Sequence, residues 1–179
     1  MKNLTGTLPD SLFNISNLQA LSFMTNQLTG HHPKDVGCFL PNLQFLYMSD
    51  NNFDCPFPPF SNATSLQKII AGHNKFSGPI PLELGSLTQL RHLYLYNNIL
   101  TNIPSNHGLS ILTSFTNCRL LEEVELLENP LNGVIPASVL SIGLSQLDQV
   151  NFLRFGFQQN NRAHSTKYTR DAQLIGVDS

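Results

Sequence analysis

One short stretch of this chain decides its fold: residues 90–100, which read LRHLYLYNNIL. Leu93 and Leu95 alternate with more polar neighbours, a pattern that predicts a short strand with one buried face. Asn98 follows where the chain has to turn, and an Asn side chain can bond backbone groups that a turn leaves unpaired. The stretch therefore predicts a strand, a turn held by Asn, and an apolar return at Leu100.

The same row occurs five times among the 179 residues. The rows start at residues 18, 43, 66, 90 and 121, which gives steps of 25, 23, 24 and 31 residues. One such coil cannot bury its own apolar face, so the coils must stack into a continuous core. Stacking predicts a ladder of side chains at the repeated Asn position: Asn26, Asn51, Asn74, Asn98 and Asn129. We expect Asn74→Ala to destabilise the array more than loss of the last Asn in the ladder.

A second element follows several of the Asn positions. Residues 76–81 read FSGPIP, residues 131–136 read LNGVIP, and residues 4–9 form a similar tail. Together with L-x-x-L-x-L-x-x-N-x-L, this element resembles the plant-specific leucine-rich repeat. The resemblance implies an α/β solenoid of about five full repeats. Its parallel β-sheet would form the concave face, with a second short strand in each coil and 3₁₀ turns and short helices on the convex face. Cys55 replaces the Gly and Thr101–Pro104 is one residue short, so we expect an irregular second sheet there.

The long step contains residues 109–118, LSILTSFTNC. This segment resembles an insertion with a helical turn that ends in Thr-Asn-Cys in ectodomains of a large plant receptor-like kinase subfamily, which includes immune receptors. The resemblance implies a fragment of a defence-signalling receptor whose repeats lie outside the plasma membrane. The kinase motifs are not in this chain, so we expect no enzymatic activity and no cofactor.

The repeat pattern ends near residue 143. We expect residues 1–143 to form an uncapped repeat array that begins within a repeat, and residues 144–179 to form a poorly ordered, non-repeat tail. The apolar piece at 150–157 could form a strand or a helix against the last coil. These features suggest a truncated gene product. No signal peptide is visible, so the location of this chain by itself stays undetermined.

Composition and motifs exclude several classes of protein. A net charge of −2 argues against nucleic-acid binding, and no apolar run is long enough for a membrane span, so direct insertion is not expected. Phosphate loops, nucleophile elbows and zinc-protease motifs are missing from the sequence. His31 and His32 would point to opposite sides of an extended segment, so we expect no metal site.

Sequons and cysteines complete the candidate list. N-glycosylation sequons begin at Asn3, Asn14 and Asn62, and the last two share one convex-side position. Cys38 and Cys55 could pair only if the second sheet brings them together, and buried thiols without a disulfide are the alternative. In the receptor subfamily, the position of Cys118 buries a small thiol.

The strand positions that point away from the core are the candidate binding surface. They are unusually rich in aromatic residues and end in acidic residues, a composition that suits recognition of a peptide or protein. An alternative role is mutual stabilisation across the strands. The predicted ligand-binding residues are Phe45, Tyr47, Lys68, Ile70, His73, His92, Tyr94, Tyr96, Glu123 and Glu125.

Three functions follow from these observations. The first is recognition of a peptide or protein ligand, or of a co-receptor, by a receptor ectodomain fragment. The second is inhibition of a secreted hydrolase by a soluble repeat protein, which would call for a signal peptide and paired-Cys caps. The third is a non-functional truncated product. The sequence favours recognition without identifying the ligand.

Overall fold

The structure is a computed structural model that describes residues 4–31, 36–103 and 110–131, with the backbone alone at 152–159 and 162–168. Two α-helices and two 3₁₀ helices lie between the strands within the described residues. The α-helices are α1 (Val36–Phe39) and α2 (Ser110–Phe115), and the 3₁₀ helices are Asp10–Asn14 and Leu82–Ser86. The described strands are β1 (Thr5–Gly6), β2 (Ala20–Ser22), β3 (Gln27–Leu28), β4 (Phe45–Tyr47), β5 (Lys68–Ile70), β6 (Ser77–Pro79), β7 (His92–Tyr94), β8 (Ile99–Thr101), β9 (Glu123–Glu125), β10 (Phe152–Gln159) and β11 (Arg162–Tyr168).

The main sheet follows the predicted repeat. Its strand order is β11-β10-β9-β7-β5-β4-β2, and the five repeat strands pair in parallel without a shift in register. The middle residue of each three-residue strand points into the core, because successive side chains alternate between the two faces. These inward residues are Leu21, Leu46, Ile69, Leu93 and Val124.

The second sheet is interrupted, as the sequence predicts. β1 pairs with β3 and β6 pairs with β8, both in parallel, and the Cys55 coil between them contributes one isolated bridge, Pro56 to Ser77. The coil that contains Thr101 pairs regularly, so the irregularity lies at the Cys55 coil. Pro104 is outside the described residues.

The core is a continuous column of Leu with an aromatic block in its middle. The ring of Phe76 stacks on Phe53 at 5.7 Å between centroids and meets Phe57 edge-on at 5.2 Å. All three rings are buried. Edge-to-face and offset pairs of this kind add to the area that they remove from water. The solenoid fold class, with its concave parallel sheet and convex 3₁₀ turns and helices, is confirmed.

Beyond the last repeat, two strands extend the main sheet. β10 lies parallel to β9, with Arg154 in register with Glu125, and β11 returns antiparallel to β10. Of the two alternatives left open for residues 150–157, a strand or a helix, the structure has the strand. The division of the chain at residue 143 stays a prediction.

Candidate functional site

The side chains of the Asn ladder support the concave face through hydrogen bonds to the backbone of adjacent coils. Asn74 is typical: its Oδ1 accepts from the amide of Phe53 at 3.2 Å, and its Nδ2 donates to the carbonyl of Met48 at 2.9 Å in the preceding coil. Its Nδ2 also donates to Ala71 and Gly72 in its own coil. Asn51, Asn98 and Asn129 make the same set of bonds. Asn26 bonds the Leu4 amide and its own coil.

A left-handed residue precedes every ladder Asn. Positive φ is uncommon in residues other than Gly, and here it marks the end of each concave segment. The values run from 51° to 58° at Thr25, Asp50, His73, Asn97 and Glu128. The backbone therefore turns in the same way in every coil, which places His73 and Glu128 at one edge of the concave surface.

The outward residues of the sheet form two rows in exact strand register. The first row is Ala20, Phe45, Lys68, His92 and Glu123, and the second is Ser22, Tyr47, Ile70, Tyr94 and Glu125. The predicted residues from coils two to five of this face are half-buried rather than fully open, with His73 exposed. Tyr47 and Tyr94 flank Ile70 in the second row.

Tyr94 is the centre of the side-chain contacts on this face. Its hydroxyl donates a hydrogen bond to the Glu123 carboxylate, the Lys68 Nζ lies 5.5 Å from its ring centroid, and the His92 ring meets it edge-on at 6.2 Å. Burial, followed by the hydrogen bond to Glu123, raises the pKa of Tyr94 above its ordinary value. The hydroxyl therefore remains a donor at neutral pH. These contacts support the stabilising role and also hold the ring in one position.

A second aromatic group lies beside the sheet. Tyr96 covers Gly72, where an added Cβ would come within 2.6 Å of the ring. The His73 ring packs edge-on against Tyr96 at 4.9 Å, and Asn97 Nδ2 lies 2.9 Å from His73 Nδ1. Burial, followed by the charge of Asp50, raises the pKa of Tyr96.

The acidic end of the face is partly neutralised. Glu122 forms an ion pair with Arg91 and lies 3.7 Å from the Nε2 of His92. Glu123 is bonded to Tyr94, whereas Glu128 is exposed. The sequence analysis did not select Arg91, Glu122 or Gly72. Gly72 could have been found, because it is the only Gly in its column of outward residues, next to the large Tyr96.

The other predicted sites lie apart from this face. Asn14 and Asn62 are exposed, and Asn3 and His32 are outside the described residues. No disulfide joins Cys38 to Cys55, and Cys38 is exposed rather than buried. Within the described ranges, no cluster of three or more His, Cys, Asp or Glu could hold a metal, and no helix could span a bilayer.

Cys118 is buried, as the resemblance implies. Its Sγ donates to the carbonyl of Leu84 at 3.5 Å, and burial raises the pKa of the thiol to about 11. The thiol is therefore protonated at neutral pH. Its contact links the coil that contains Leu84 to the helix insertion.

Comparisons with known proteins agree with this architecture. The Leucine Rich Repeat family profile matches residues 42–63. Receptor-like protein kinase 7 of Arabidopsis thaliana is 32% identical over 137 residues, which is 60% of this chain and 14% of that protein. The chain therefore spans a small part of the length of this curated relative.

Solved structures give the same result. The plant peptide hormone receptor RGFR1, in complex with RGF2, has a TM-score of 0.71 and 29% identity over 86% of this chain and 23% of that chain. The BIR3–SERK2 complex from Arabidopsis thaliana has a TM-score of 0.59 and 30% identity over 72% of this chain and 64% of that chain. The chain has the leucine-rich-repeat fold, and its repeats are similar to those of plant receptor-kinase ectodomains.

Proposed function

We propose that this chain belongs to the extracellular recognition region of a plant receptor-like kinase of the immune-receptor-like group, and that its concave face binds a peptide or protein. The observation that carries the proposal is the row Tyr47, Ile70 and Tyr94, with Lys68 beside it, on a rigid sheet. The RGFR1 structure, which is in complex with RGF2, supports a peptide as the class of ligand.

Preorganisation makes this row a suitable anchor. The Tyr94 ring is held by Glu123, Lys68 and His92, so binding would cost little additional side-chain ordering. Half-buried aromatic rings near the centre of an interface typically provide a large share of its affinity. The cross-strand contacts therefore serve recognition as well as stability.

The charges give the face a direction. Aromatic side chains occupy the middle coils, and the last repeat presents the exposed Glu128. Glu122 and Glu123 are engaged with Arg91, His92 and Tyr94, so they contribute less negative potential. We infer a ligand with an apolar segment followed by a basic one.

Synthetic peptides test this proposal. The segment is placed in its complete receptor ectodomain, and fluorescent peptides with an apolar half followed by a Lys/Arg half are compared with charge-reversed peptides. Tyr47→Ala should weaken binding of the apolar-basic peptide by about thirtyfold, since a central aromatic anchor contributes about 2 kcal/mol or more. Tyr94→Ala should do the same, while Tyr94→Phe retains the ring and most of the affinity.

Matched changes on the convex side provide the control. Asn14→Ala and Asn62→Ala should leave peptide affinity unchanged. Added salt should weaken binding of the apolar-basic peptide, because contacts between rim charges are screened. Equal affinity for the concave and convex variants would refute recognition through this face.

A further inference from the structure

A turn repeated on the convex side places five residues in one column. In each of the five coils, a backbone amide donates to the carbonyl three residues earlier. The first of these bonds joins Leu18 to Ile15, and the last joins Leu121 to Cys118. The residues immediately before these carbonyls are therefore equivalent and form the convex column: Asn14, Phe39, Asn62, Ser86 and Asn117. All five are exposed.

Phe39 is the exception in the convex column. The other four members are polar, whereas Phe39 is apolar and is nevertheless 44% exposed to solvent. A large apolar ring in that environment leaves apolar surface in water. The column places Phe39 between Asn14 and Asn62, and both of these begin a glycosylation sequon.

Asn62 carries the atom that is modified, and this atom contacts α1, the helix that contains Phe39. Its Nδ2 lies 3.0 Å from the Sγ of Cys38, the residue that precedes Phe39 in α1. Thr64, which completes the sequon, is exposed. An N-linked sugar replaces one of the two hydrogens on Nδ2, so the other can still donate to Cys38. The first sugar would then start at α1, one residue along the helix from Phe39.

We propose that Asn62 carries an N-linked glycan and that its first N-acetylglucosamine packs on the ring of Phe39. Transfer from a lipid-linked oligosaccharyl diphosphate forms the bond from sugar C1 to Nδ2, breaks the bond from C1 to the diphosphate oxygen, and releases one proton from Nδ2. The C–H face of the sugar covers the ring and removes its apolar surface from water. This modification site requires the extracellular location of the proposed function but not ligand binding.

Site occupancy and thermal stability test the proposal together. The full chain, placed behind a secretion signal, is produced in plant cells grown with a mannosidase inhibitor, and peptide mass spectrometry measures occupancy at Asn62 on denatured material. The wild type should melt about 2–4 °C above Asn62→Gln, the shift produced by one modest contact in a chain of this size. Trimming the glycan to its first sugar should retain this difference, and complete enzymatic removal should abolish it.

Phe39 variants separate stacking from a general effect of the glycan. In a Phe39→Ala or Phe39→Leu background, Asn62→Gln should no longer change the melting temperature. Asn14→Gln serves as the matched sequon control and should leave the Phe39-dependent shift intact. An unoccupied Asn62, a shift that persists without the ring, or coupling of Phe39 to Asn14 instead would overturn the proposal. Peptide affinity of the concave face is measured independently, so failure here leaves that function open.

Discussion

Replacement of Asn74 by Ala tests the ladder that supports the concave face. The side chain bonds the buried amide of Phe53 at 3.2 Å and the carbonyl of Met48 at 2.9 Å, and so links its own coil to the preceding one. Ala would leave the Phe53 amide without a partner in the core. The Met48 carbonyl would retain its bond from Asn51.

The expected destabilisation follows from these two groups. A buried amide without a partner costs about 1–3 kcal/mol, and loss of a satisfied bond to Met48 adds about 0.5–1.5 kcal/mol. Asn74→Ala should therefore lower the free energy of unfolding by about 2–4 kcal/mol. For a domain of this size, the melting temperature should fall by roughly 5–15 °C.

Thermal melts followed by circular dichroism measure this change. Asn52→Ala is the matched control, because its half-buried side chain makes no hydrogen bond within the described residues. Asn129→Ala should cost about as much as Asn74→Ala, since Asn129 makes the same bonds, contrary to the expectation from sequence. Asn26→Ala should cost least, because its Nδ2 donates only within its own coil and the Leu4 amide that its Oδ1 bonds is exposed. A melting temperature for Asn74→Ala equal to that of Asn52→Ala would refute this account of the ladder.

Two further predictions concern the convex side. Gly85→Ala should lower stability by about 1–3 kcal/mol in urea unfolding, because its Cβ would lie 2.5 Å from the Ser114 carbonyl oxygen, whereas exposed Glu83→Ala should not. Equal stability of the two variants would contradict this packing. Cys118 should be alkylated much more slowly than exposed Cys38 near pH 9, because burial raises the pKa of the Cys118 thiol to about 11. Equal rates by mass spectrometry would be inconsistent with this burial. The unfolded thiol ionises first, so this contribution to stability is present below about pH 9 and is lost as the pH rises to about 11.

The sequence by itself determined the solenoid, the strand register and the positions of the ladder Asn. These features repeat with a fixed spacing, and each depends on local chemistry: alternating apolar residues form a strand, and Asn satisfies the turn that follows. The row of Tyr47, Ile70 and Tyr94 follows directly, because residues at equivalent repeat positions stack in register. The extension of the sheet by β10 carries no such signal, since residues 152–159 lack the repeat.

Only the tertiary structure decided how the side chains of the face pair. The hydrogen bond from Tyr94 to Glu123 and the packing of Tyr96 over Gly72 join residues 29 and 24 positions apart. The place of Phe39 between Asn14 and Asn62 in one column likewise appears only once the convex turns are superposed. A repeat pattern specifies which positions become neighbours, but the rotamer that each side chain adopts depends on the particular residues in the adjoining coils. Partners and exposure were therefore set by contacts across coils, which a local pattern does not contain.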